Sequence, residues 1–179
     1  MKKIIAFGAS NSSSSINQLL AKWASSQLAD AETELLNLND FEMPIFSPER
    51  EATGIPEPAK SFKLKIDRSD GVIISLAEYN GNYTTAFKNI IDWVSRIDKK
   101  TWSNKPLFLL ATSPGGRGGA GVLAIASKNF PHLGGNVVAT FSLPTFHQNF
   151  DREKGILNED LKKTFEESLV NIPFSRSKF

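Results

Sequence analysis

The sequence contains no cysteine, which excludes disulfides, thiolate nucleophiles, cysteine-ligated zinc and iron–sulfur clusters. Histidine is almost as scarce: His132 and His147 are the only two. No cluster of ligating side chains has the spacing of a metal site. Neither a metal nor a catalytic histidine is expected, and both histidines read as structural. Long apolar runs are missing too, since none approaches the roughly 20 residues that cross a bilayer. The opening Met1-Lys2-Lys3-Ile4-Ile5-Ala6-Phe7-Gly8 has a basic flank but an apolar stretch too short for a signal-peptide core. Nor is there an excess of one charge: 21 Lys+Arg face 19 Asp+Glu, a net +2, and no basic run marks a nucleic-acid groove. The expectation is a cytoplasmic protein with no membrane span and no nucleic-acid partner.

What is present is an alternation of short apolar runs and helical spacings within 179 residues, a length that suits one domain, 1–179. Ile4-Ile5-Ala6-Phe7, Gly71-Val72-Ile73-Ile74-Ser75-Leu76-Ala77 and Leu107-Phe108-Leu109-Leu110-Ala111 are continuously apolar or nearly so, as strands buried on both faces are. Glu34-Leu35-Leu36-Asn37-Leu38 and Asn136-Val137-Val138-Ala139-Thr140-Phe141 add a second and a fifth strand. Between them, Ile16, Leu19, Leu20 and Trp23, and later Phe87, Ile90, Ile91 and Val94, share helix faces. A helix is expected over 57–68 and another through Leu123, Ile125 and Ala126. A last helix over about 158–171 has Asn158 as N-cap, Glu159 and Asp160 at its positive end, and a stripe of Leu161, Phe165 and Leu169. Residues 41–58 read as an irregular loop, because Pro44, Pro48, Pro56 and Pro58 break helices, and the tail from Pro173 is expected to fray. Strands alternating with helices imply a doubly wound parallel sheet with helices on both faces. In the order 2-1-3-4-5, ligands sit beyond the carboxyl ends of strands 1 and 3.

Three post-strand loops therefore carry the chemistry. Gly8-Ala9-Ser10-Asn11-Ser12-Ser13-Ser14-Ser15-Ile16-Asn17 holds five serines and two asparagines. A helix N-terminus so furnished offers backbone N–H groups and neutral donors to an anion. It has neither the Walker lysine nor the dinucleotide glycine spacing. Taken alone, it is equally a polar linker with a serine cap. Glu78-Tyr79-Asn80-Gly81-Asn82-Tyr83 contains both tyrosines of the chain and an Asn-Gly turn. The stretch Ser113-Pro114-Gly115-Gly116-Arg117-Gly118-Gly119 lets backbone approach a flat ligand, with Arg117 either at a phosphate or in solvent. On the helix after the third strand, Lys88 and Asp92 are spaced as a surface pair, while Trp93 suits the core or a subunit contact.

In this order the three loops resemble the NADPH-dependent FMN reductase family of flavodoxin-like proteins, over about residues 3–142. The likeness rests on Ser10…Ser15-x-Asn17, on Glu78-Tyr79-Asn80-Gly81 with Lys88-Asn89-x-x-Asp92-Trp93, and on Ser113-Pro114-Gly115-Gly116-x-Gly118-Gly119. The family usually has an arginine where this chain has Ser12 and a proline where it has Ala77. The resemblance implies that Ser10, Ser15 and Asn17 bind the FMN phosphate with backbone groups of the same loop, Ser12 and Ile16 among them. It implies that Glu78, Tyr79, Asn80 and Gly81 line the isoalloxazine ring, mainly through backbone, and that Ser113, Pro114, Gly115 and Gly116 close the site. It also implies a homodimer or homotetramer built on the helices after strands 3 and 4.

The activity implied is hydride transfer from NADPH or NADH through flavin N5 to a small-molecule acceptor such as a quinone, free flavin, azo dye or metal oxyanion. The cofactor carries that chemistry, so no catalytic side chain is named. The 41–58 loop, with Pro44, Ile45 and Phe46, is a candidate wall over the ring. The alternatives are a flavodoxin-type electron carrier, which is typically strongly acidic as this chain is not, and a flavin-free regulatory protein on the same fold.

Overall fold

Apolar segments bounded by glycine or proline form the centre of a parallel sheet, where both of their faces are covered. They are β1 (Lys2–Gly8), β3 (Gly71–Leu76) and β4 (Pro106–Thr112). The computed structural model describes residues 1–170, 172 and 173, and places β2 (Ala31–Leu35) and β5 (Asn136–Leu143) at the two edges. The order is β2-β1-β3-β4-β5 with every pairing parallel, the flavodoxin-like arrangement expected. Gly8 pairs with Ser75 and Leu76 with Ala111, so the carboxyl ends of the three central strands lie level along one edge.

Helices cover both faces: α1 (Ile16–Ser26), α2 (Pro48–Glu51), α3 (Glu57–Arg68), α4 (Thr85–Ile97), α5 (Ala120–Asn129), α6 (Phe146–Asn149) and α7 (Glu159–Val170). A short hairpin, β6 (Phe150–Asp151) and β7 (Gly155–Ile156), joins α6 to α7. Successive strand residues point to opposite faces, which divides the core in two. Phe7, Ile74 and Leu109 face Phe62, Phe87 and Phe130 in one cluster, whereas Ala6, Ile73 and Phe108 face Leu20 and Phe165 in the other. Asn158 caps α7 as expected, its Oδ1 accepting from the Leu161 N–H at 3.0 Å, and Phe165 and Leu169 are buried. Among the described residues, no helix is long and apolar enough to cross a membrane.

Several expectations need correction. The second strand starts and ends three residues before the expected 34–38. It is an edge strand whose Glu32 and Glu34 are exposed, and the apolar Leu36 and Leu38 mark the place where the chain turns into the core after it. Pro48 starts a helix instead of breaking one: at the first position of α2 its missing N–H is not needed, and Ser47 caps the turn. The stripe that α1 buries centres on Asn17, Leu20, Ala21 and Ala24, with Ile16, Leu19 and Trp23 only half-buried beside it. Small alanines there let the helix approach the sheet closely. The last helix ends at Val170, and the tail beyond Pro173 lies outside the described residues.

Candidate binding cleft

The chain leaves β1 at Gly8 and turns into α1 within eight residues. Gln18 holds this turn, its Oε1 accepting from the Gly8 N–H at 2.6 Å and its Nε2 donating to the Leu36 carbonyl at 2.9 Å. Ser15 is the N-cap, accepting from the Gln18 N–H at 3.2 Å. Ser10 Oγ accepts from the Ser12 N–H at 3.1 Å and lies 3.5 Å from the Tyr79 hydroxyl. The amides of Ser13, Ser14, Ile16 and Asn17 donate to no acceptor among the described residues. They lie at the positive end of α1, whose first turn has no acidic residue, an arrangement whose chemistry suits an anion.

The Asn17 side chain, expected at the phosphate, makes hydrogen bonds within the protein. It is 3% exposed. Its Oδ1 accepts from Ser75 Oγ at 2.8 Å and from the Thr112 N–H at 3.1 Å, while Nδ2 donates to the Thr112 carbonyl at 3.1 Å. One side-chain amide thus ties α1 to the ends of β3 and β4.

After β3, Tyr79 and Asn82 exchange two backbone hydrogen bonds, at 2.9 and 3.1 Å, around a two-residue turn. Asn80 (φ 52°) and Gly81 (φ 76°) are both left-handed there, as the tight turn requires. The two tyrosines part company. Tyr79 is 50% exposed, whereas Tyr83 packs against Phe87 and Phe130 at ring distances of 5.6 and 6.0 Å. Burial pushes the Tyr83 phenol up to about 12, with the Asn129 side chain pulling the other way. The folded protein therefore keeps a proton that the unfolded chain, with a phenol near its usual value of about 10, gives up. That stabilisation is fully present below a pH of about 10 and is lost as pH rises through about 12. Melting temperatures are expected to fall across this window and to fall less steeply in Tyr83→Phe. Equal slopes for the two proteins would refute the assignment.

After β4, the Ser113 and Gly115 carbonyls accept from Phe146 and Thr145 N–H groups at 3.1 and 2.9 Å, so the segment entering α6 braces the glycine-rich loop. Gly115 and Gly116 are exposed, and a Cβ on either would meet no atom within 4 Å. Arg117 is exposed without a partner among the described residues. Glu78 reaches across from the β3 loop, its Oε2 accepting from the Val122 N–H at 2.9 Å.

These loops enclose a cleft of about 230 Å³. Ser10, Ser12, Ser15, Ile16, Asn17, Glu78, Tyr79, Ser113 and Pro114 line it, as does a set the sequence did not single out for it, Ser14, Ala77 and Thr112. Asn80, Gly81, Gly115 and Gly116 do not line it and stand exposed in the same two loops. Tyr79 also borders an adjoining pocket of about 380 Å³, whose other walls include Asn11, Phe41, Met43, Ile45 and Ile90. The outer wall is tethered to α4. Asn89 accepts from the Phe46 N–H at 2.9 Å and donates to the Met43 and Pro44 carbonyls at 3.2 Å, and Trp93 Nε1 donates to the Pro44 carbonyl at 2.7 Å. Trp93 is accordingly buried, and Lys88 and Asp92 form the surface pair anticipated.

The sequence profile described as NADPH-dependent FMN reductase matches residues 2–148. A quinone reductase of Pseudomonas putida is 36% identical over 108 residues, 60% of this chain and 58% of that one. The chain thus spans somewhat more than half the length of that curated relative. An uncharacterized protein of Mycoplasma pneumoniae is 31% identical over 147 residues, 79% of this chain and 86% of that one. Among solved structures, the flavoenzyme NAD(P)H:(acceptor) oxidoreductase FerB of Paracoccus denitrificans superposes with a TM-score of 0.73 at 27% identity, covering 92% of this chain and 91% of that one.

Proposed function

Because the chain belongs to the NADPH-dependent FMN reductase family, we propose that its cleft binds FMN and that the protein is an NAD(P)H-dependent oxidoreductase acting on a small acceptor such as a quinone, azo dye or free flavin. The observation that carries this reading is the meeting of three loops in one cleft: unpaired amides and serine hydroxyls at α1 beside the Glu78-Tyr79 and Ser113-Pro114 segments. The donor set fits a phosphate, and the open space over Gly115 and Gly116 fits a flat ring. Bound there, FMN would supply hydride acceptance and donation at N5. The chain's own residues would bind and orient it: the Ser13, Ser14, Ile16 and Asn17 amides and the Ser10, Ser12 and Ser15 hydroxyls would hold the phosphate, and the Asn80 and Gly81 amides would serve the ring. We place the acceptor in the pocket beyond Tyr79, whose mixed apolar and amide walls suit a quinone head group. A homodimer or homotetramer belongs to the same reading, supported by Ile45 and Tyr79, which expose 66% and 50% of their surface beside the cleft. So does a cytoplasmic setting, where both nucleotides are supplied.

Titration of the purified protein with flavins tests this. FMN is expected to bind one per chain, and riboflavin, lacking the phosphate, at least about tenfold more weakly, since hydrogen bonds to a charged group contribute about 1.5–3 kcal/mol each. Gly116→Ala is expected to melt like the wild type yet weaken FMN by about tenfold, a methyl group costing contact only when a ring lies against it. NADPH oxidation with a benzoquinone acceptor then separates an enzyme from an electron carrier. Equal affinities for FMN and riboflavin, or no flavin binding, would overturn the reading.

A further inference from the structure

Helix α5 begins without a cap of its own. Gly119 precedes its first turn in the left-handed region, at φ 73°, and has no side chain with which to accept a hydrogen bond. The acceptor comes from the loop after β3, where Glu78 Oε2 takes the Val122 N–H at 2.9 Å. The carboxylate lies directly against Gly121, so that a Cβ there would meet Oε2 at 2.9 Å and Oε1 at 3.1 Å. Glu78 is half-buried and lines the same cleft as Thr112, Ser113 and Pro114. Every other side chain lining that cleft is uncharged.

Two physical consequences combine here. The carboxylate ties the loop after β3 to the first turn of α5, into which the loop after β4 runs, and so anchors one wall of the cleft to the helix that ends the other. It also places a full negative charge in a site without a cationic side chain. The positive end of α5 offsets that charge only in part, a helix N-terminus amounting to roughly half an elementary charge. A flavin gains negative charge on reduction, and a fixed anion nearby opposes this.

We propose that Glu78 is a positioning residue that latches the loop after β3 to the start of α5 and, through its charge, makes the bound flavin a stronger reductant. The inference rests on the reading of the cleft as an FMN site, and deepens it. Glu78→Gln keeps an oxygen for the Val122 N–H and removes the charge, whereas Glu78→Ala removes both.

The readouts are the midpoint potential of the bound FMN and amide hydrogen exchange in the flavin-free protein. Glu78→Gln is expected to raise the potential by about 30 mV, the equivalent for a two-electron couple of about tenfold tighter relative binding of the reduced flavin. Exchange at Val122 should stay as in the wild type. Glu78→Ala should show faster exchange over Gly121–Leu123 together with weaker FMN binding. An unchanged potential in Glu78→Gln, or unchanged exchange in Glu78→Ala, overturns the proposal. Should the wild type bind no FMN, the cleft assignment fails, while exchange in the flavin-free variants still decides the latch. Should Glu78→Ala not fold, the potential of Glu78→Gln decides alone.

Discussion

Alanine at position 8 is expected to lower the melting temperature by about 6–12 °C and to abolish most FMN binding, on the basis of about 3 kcal/mol of overpacking in a chain of this size. Gly8 ends β1 against the first turn of α1. A Cβ there would lie 2.3 Å from the Gln18 nitrogen and 2.7 Å from Asn17 C and Gln18 Cα. All three are backbone atoms, so no side chain can swing aside and α1 must move. The Gly8 N–H bond to Gln18 Oε1 would be strained by that movement. The same shift would carry the Ile16 and Asn17 amides away from the phosphate position, so stability and affinity should fall together. Thermal melts and FMN titration of Gly8→Ala check this, and a variant that melts with the wild type would refute the overpacking.

The second large effect is expected at Asn17. Asn17→Ala removes three buried hydrogen bonds, taking its acceptor from the Ser75 hydroxyl and one partner each from the Thr112 N–H and carbonyl. Stranded buried polar groups cost about 1–3 kcal/mol each, so a loss of about 3 kcal/mol or more is expected even after partial relaxation. At this chain length that is again about 6–12 °C in melting temperature. The loss should appear in flavin-free protein, because the side chain holds the strand ends and not a ligand. An Asn17→Ala protein that melts normally but has lost FMN would reverse the assignment and return the side chain to the phosphate.

The contrast between these two residues shows where the sequence was readable. Central strands were legible because burial on both faces leaves almost only apolar residues between glycine or proline boundaries, with Ser75 the exception in Gly71–Leu76. The edge strand was not, since Ala31–Leu35 carries exposed Glu32 and Glu34, and its position follows from pairing with β1. Pro48 was read as a breaker because a proline signal does not distinguish the first helical position from the interior. The loops of the cleft could be named from their composition and from strand order. The targets of their side chains could not, since Asn17 meets atoms 58 and 95 residues away and Glu78 one 44 residues away. Asn89 and Trp93 stood within a recognisable motif, but nothing local marked them as tethers of the segment around Pro44.

The long reach of Asn17 has a bearing on how the protein matures. Its hydrogen bonds to Thr112 span 95 residues, and the Thr84 hydroxyl that donates to the Ala9 carbonyl closes another span of 75. Contacts so distant in sequence form late in folding, and on a ribosome they wait until β4 has emerged. The serine-rich turn therefore acquires its final shape only when more than half the chain is in place, and on the reading of the cleft as an FMN site the flavin could be held only after that point.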